Sequence, residues 1–136
     1  MRKALIDTNI ISAFMRGEES VVEKVKAYLN IHDTLTISVI TYYEIMRGIK
    51  ALSNFKKIKA FNEFMSDCNI EEIDSLIAEK AADIYDELRI AGKLVEDADI
   101  LIAATAMINE MVVVTDNTKH FERIKGLKCE NWLEIN

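Results

Sequence analysis

The chain of 136 residues contains no proline, only four glycines and two cysteines. A disordered chain would be richer in proline and poorer in apolar residues than this one, half of which is hydrophobic. Cys68 and Cys129 stand far apart in the sequence, with no CxxC and no zinc-type spacing. A disulfide framework is therefore excluded as the basis of the fold, and a reducing cytoplasm is the expected location. Basic excess is also missing: 17 Lys and Arg face 23 Asp and Glu, a net charge of −6. That balance argues against general electrostatic binding of nucleic acid and leaves room for a local basic patch. Long apolar runs are absent too. Ala4-Leu5-Ile6 stops at Asp7, short of a secretory h-region, and the run from 100 to 108 is too short for a bilayer, so no membrane role is expected. There is no GxGxxG, no P-loop, and no Ser or Cys in a recognisable nucleophile context.

What remains is a size suited to one domain over residues 1–136, and an alternating order of elements. Short β-branched or apolar runs predict strands over 3–6, 34–38, 70–73, 111–115 and 128–133. Helical spacing predicts a short helix around Ile10, Ile11 and Phe14, capped by Thr8 or Asn9, and helices over 19–31, 40–52, 55–65, 76–91, 97–109 and 117–124. Gly92 is the expected C-cap of the 76–91 helix. Alternating strands and helices imply a parallel sheet covered on both faces, a three-layer α/β/α sandwich. In such sheets ligands gather beyond the carboxyl ends of the strands.

Acids stand at those ends. Asp7 follows the first strand, Asp116 follows Val112 to Thr115, Glu44 lies a few residues past Ser38, and Asp97 and Asp99 open the alanine-rich helix. Taken singly, each has an ordinary explanation: Asp7 and Asp97 as turn or capping residues, Glu44 as an exposed helix residue. Asp99 is the least easily explained, because it shares a helix side with Ile102, Ala103 and Ala106, where an unpaired acid is costly. Several carboxylates without an accompanying His or Cys suggest a hard cation held by oxygen, Mg²⁺ or Mn²⁺. His32 and His120 are expected at the surface rather than as ligands.

These residues resemble the PIN-domain family, and within it the VapC-type toxins of toxin–antitoxin pairs. The matching strings are Leu5 to Ile10, Ile37 to Thr41 with Glu44 to Gly48, Gly92 with Asp97 to Ala104, and Val114 to Asn117 with Phe121, Gly126 and Leu127. The resemblance implies a metal-dependent endoribonuclease leaving a 5′-phosphate and a 3′-hydroxyl, with Asp7, Glu44 and Asp99 on the family's acidic positions. The fourth acid falls one or two residues after the strand-ending threonine. Asp116 is taken for that place and Asn117 as its polar helper; with Asn117 in the metal-facing slot instead, a second ion would be weakly held. Thr8 and Thr115, with Asn9 nearby, are candidates for orienting a metal-bound water, and Asp97 has no assigned role. The resemblance further implies an RNA substrate, a homodimer and a VapB-type antitoxin. Arg47, Lys50, Lys56, Lys57 and Lys59 form the only basic concentration, readable as phosphate contacts or as a solvated face. The apolar residues of 55–65 are a groove for the antitoxin or part of the core. A second reading is a PIN-like binding module, with little or no catalysis, acting within an antitoxin repressor complex. A receiver-type domain would need a Lys on a late strand, which Thr115-Asp116 does not offer, and a DxD phosphatase start is broken by Asn9.

Overall fold

Two apolar cores, one on each side of a central sheet, organise the chain, seen in a computed structural model that describes residues 1–134; positions 135 and 136 of the domain reading lie outside the described residues. In chain order the elements are β1 (Ala4–Ile6), α1 (Thr8–Met15), α2 (Glu19–Leu29), β2 (Thr36–Ser38), α3 (Val39–Ala51), α4 (Phe55–Met65), β3 (Asn69–Glu71), α5 (Ser75–Ala91), α6 (Asp97–Ile108), β4 (Val112–Val114), α7 (Thr118–Phe121) and β5 (Cys129–Glu130). β1, β2 and β4 are triplets, mostly apolar or β-branched, whose residues are all buried, the pattern that parallel sheets require.

All pairings are parallel. One ladder runs β1-β4-β5 and a second pairs β2 with β3. β1 lies beside β2, yet the two ladders do not share backbone hydrogen bonds. The Ala4 N–H is instead taken up by the Tyr28 hydroxyl of α2 at 3.0 Å, so this buried donor is not orphaned. Side chains alternate as strands dictate. Ala4, Ile6, Ile37 and Val114 face α1, α2 and α4, with Trp132 closing that layer. Leu5 and Val113 face α5, α6 and Phe121 of α7. The three-layer expectation holds.

Several boundaries differ from the sequence reading. The cap of α1 is Asp7 itself, whose side chain accepts from the Thr8 N–H, and Thr8 is already helical. The cap position of α6 is Glu96, without a side-chain bond, and Asp97 is the first helical residue. β3 and β5 are shorter than 70–73 and 128–133, and α7 is a single turn rather than 117–124. Helix 55–65 belongs to the core through Phe61 and Met65, while Phe55 at its start is 83% exposed. Gly92 caps α5 in the left-handed region at φ 67°, as expected.

Candidate active site

Because the strands are parallel, the segments after β1, β2 and β4 emerge on one edge, where α6 also begins. The site is assembled there. Asp7 is nearly buried, with 7% of its surface exposed. One carboxylate oxygen accepts from the Thr8 N–H at 2.8 Å and the other from the Thr115 hydroxyl, also at 2.8 Å. Burial pushes its carboxyl from 3.8 up to about 6; those two hydrogen bonds oppose the shift, and the charges of Asp99 and Glu44 add to it. Asp7 therefore lies near enough to both other acids to feel their charge.

Glu44 reaches the site from α3, and the Thr8 hydroxyl donates to its Oε1 at 2.7 Å. Ser38 sets the start of that helix: its hydroxyl accepts from the Thr41 N–H at 3.1 Å. Asp99 stands in the first turn of α6, where the partial positive charge of the helix terminus favours an anion. The structure thus brings Asp7, Glu44 and Asp99 to one edge from three separate elements, with Thr8 and Thr115 as donors to the first two.

Asp116 is placed differently. It is exposed and its Oδ1 accepts from the Asn9 amide at 3.0 Å, at the outer edge of the site. Asn117 is the residue that turns inward. Its N–H donates to the Thr115 hydroxyl at 2.9 Å, and its side-chain amide lies 2.8 Å from His120 Nδ1. The backbone bends between these neighbours, so consecutive side chains diverge. Asp97 is exposed and takes no part.

His120 is the residue that sequence reasoning missed. Its Nδ1 lies 3.2 Å from Asp99 Oδ2, across 21 positions of sequence. Both histidines are partly exposed: His32 contacts the Met1 carbonyl and packs on Tyr28, whereas His120 lies at the rim of the site against Asp99. A signal was available in the spacing: Asn117 and His120 lie three apart, and Phe121 beside them is fully buried and anchors the turn. Both thiols are pushed up by burial, Cys68 to about 11, so neither is a thiolate nucleophile at neutral pH.

Among the described residues no three His, Cys, Asp or Glu side chains close into metal-coordinating geometry. The donor set nevertheless suits a hard divalent cation. Asp7 is buried and holds its proton abnormally well, chiefly through burial and in lesser part through the charges of Asp99 and Glu44, and a cation beside it would favour its ionised form. Beside Thr8 and Glu44 a groove of about 460 Å³ runs between α1, α3 and α4, with Met15, Leu52, Arg16 and Lys57 in its lining.

The sequence pattern of the PIN domain matches residues 4–127. The chain belongs to the PIN domain family. Among curated relatives, "Ribonuclease VapC1" of Methanocaldococcus jannaschii is 36% identical over 128 residues, covering 93% of this chain and 85% of that protein. The "tRNA(fMet)-specific endonuclease VapC" of Shigella flexneri is 28% identical over 134 residues, covering 97% and 99%. Among solved structures, VapBC2 of Rickettsia felis bound to a promoter DNA fragment superposes with a TM-score of 0.86 at 25% identity, covering 95% of this chain and 98% of that one. The sheet edge carrying Asp7, Glu44 and Asp99 is thus the edge of a PIN domain.

Proposed function

We propose that this PIN domain is a divalent-cation-dependent endoribonuclease, the toxin of a toxin–antitoxin pair. The observation that carries the reading is the buried Asp7 within reach of the charges of Asp99 and Glu44, three carboxylates at the carboxyl edge of a parallel sheet in a chain related to VapC ribonucleases. Asp7, Asp99 and Glu44 would hold the cation. Mg²⁺ or Mn²⁺ bound there would neutralise the scissile phosphate and lower the pKa of a bound water. The Thr115 hydroxyl fixes one oxygen of Asp7, and the Thr8 N–H fixes the other, so the carboxylate is oriented before any ligand arrives. The Thr8 hydroxyl does the same for Glu44. In-line attack by water leaves a 5′-phosphate and a 3′-hydroxyl.

Arg47 and Lys50, exposed on α3 near Glu44, are the proposed phosphate contacts, with Lys56, Lys57 and Lys59 on α4 beside them. Toxin–antitoxin complexes among the structural relatives support a VapB-type antitoxin as partner, and the family resemblance supports a homodimer. Asp116 and Asn117 favour a second reading. With Asp116 exposed at the outer edge and the Asn117 amide against His120, the site has three inward acids instead of four, which suits a binding module of reduced catalysis.

The test uses purified protein freed of antitoxin, incubated with tRNAs and other structured RNAs and Mg²⁺, Mn²⁺ or EDTA. Cleavage should need the cation and leave 5′-phosphate ends. It should fall by more than about 100-fold in Asp7→Asn and Asp99→Asn, as removal of a charge-stabilising group does. Cleavage that survives both substitutions would sink the mechanism, and none with any RNA would favour the binding module.

A further inference from the structure

A series of contacts, passing through the backbone N–H and the side chain of Asn117, connects Asp7 with Asp99. Asp7 Oδ2 accepts from Thr115, the Thr115 hydroxyl accepts from the Asn117 N–H, the Asn117 amide meets His120 Nδ1, and His120 Nδ1 meets Asp99 Oδ2. Asp7 has two donors and Glu44 has one. For Asp99 the recorded partner is His120, with 17% and 39% of the two side chains exposed. The ring is not a loose surface group, because the fully buried Phe121 next to it pins the turn against α6.

The chemistry at Nδ1 is restrictive. An ionised carboxylate only accepts, so Nδ1 must carry the hydrogen when it serves Asp99. The Asn117 amide then presents its oxygen to the same N–H, since amide oxygen and nitrogen exchange places by a simple flip. With the amide the other way round, Nδ1 would accept from Asn117 and Asp99 would lose its donor.

Resting on the cation site proposed above, we infer that His120 is a positioning residue that holds Asp99 for the divalent cation through its Nδ1–H, leaving the second carboxylate oxygen for the ion. Outer partners of this kind fix the angle and basicity of a ligand without touching the ion.

The position of the donor gives the test. An asparagine at 120 places its amide nitrogen close to where Nδ1 stands, whereas a glutamine places it near Nε2. Mn²⁺ binding is measured without RNA, by the loss of the free-ion paramagnetic resonance signal, for the wild-type protein and His120→Ala, His120→Asn, His120→Gln and Asp99→Asn. The dissociation constant should rise about 10-fold in His120→Ala, as for loss of an outer-shell partner. It should be largely restored in His120→Asn and stay weak in His120→Gln. Melting temperatures without cation serve as the folding control, and the Asn–Gln comparison stands even where the alanine variant is unstable.

Unchanged Mn²⁺ affinity in His120→Ala, or equal rescue by Gln and Asn, overturns the inference. So does wild-type protein that binds no Mn²⁺. The two readings fail separately. Mn²⁺ binding with the predicted Asn–Gln difference but no cleavage of RNA would leave this inference standing and remove the ribonuclease. Cation-dependent cleavage with unaltered Mn²⁺ affinity in the His120 variants would do the reverse.

Discussion

At the scale of residues, Asp7 carries conflicting tasks. It caps α1, it is buried, and it feels the charge of two other acids. Its carboxyl holds a proton to about pH 6 in the folded chain against 3.8 otherwise. The folded state therefore binds more protons than the unfolded state between those values, and stability falls as pH rises through that window. Above about pH 6 the whole loss is present, on the order of 3 kcal/mol for a shift of this size. Asp7→Asn removes the charge and keeps a good capping residue. In EDTA, thermal melts should put the variant several degrees above wild type at about pH 7.5 and level with it at about pH 4, where wild-type Asp7 is also neutral. The same variant should be inactive. Parallel pH profiles for the two proteins would refute the assignment of the strain to this carboxyl. Asp7 and Asp99 stood out in the sequence because one follows a strand and the other opens a helix, whereas Glu44, inside a helix, was marked out by the family resemblance. Asp116 and Asn117 could not be separated, since a bend sends consecutive side chains to opposite sides. His120 was hidden because its partner lies 21 residues away and only the tertiary fold joins them.

At the scale of elements, what the sequence revealed tracks how strongly each segment is buried. β1, β2 and β4 were readable as uninterrupted buried triplets, and α5 from its apolar spacing and its closing glycine. β3 and β5 are exposed or half-buried, so their composition hardly differs from that of a loop, and their ends were misjudged. Helix starts depend on side-chain geometry that composition does not fix, which is why Asp7 and Glu96, rather than Thr8 and Asp97, occupy the cap positions. The start of α3 matters most, because Glu44 is presented from its second turn. Ser38→Ala deletes a fully buried cap and should cost about 1 kcal/mol. Urea unfolding should show a lower midpoint with unchanged slope; an unchanged midpoint would mean that the helix start is held by packing alone.

At the scale of the whole molecule, a net charge of −6 must be reconciled with an RNA substrate. The exposed basic residues of α3 and α4 give one local region of the opposite sign. Arg47 also lies over the exposed ring of Tyr43, 5.1 Å from its centroid, which holds the guanidinium in a defined place. Binding through few cations predicts a shallow salt dependence. Arg47→Ala should raise KM with kcat unchanged, and should flatten the slope of log(kcat/KM) against log salt by about 0.7, the value for one phosphate contact on a single strand. A slope that stays the same would place the RNA elsewhere.

The division between the two ladders has a mechanical meaning. Asp7 and Thr8 follow the strand on one side of that boundary, and Glu44 belongs to the helix that follows the strand on the other. A tyrosine hydroxyl satisfies the Ala4 N–H on the β1 side, and the Thr8–Glu44 hydrogen bond crosses the boundary at the site. An ion gripped by Asp7 and Glu44 together would act as a rivet through a seam, clamping two plates that the backbone leaves unstitched. Linkage makes the effect mutual: whatever loosens the plates loosens the rivet, and filling the rivet hole stiffens the plates.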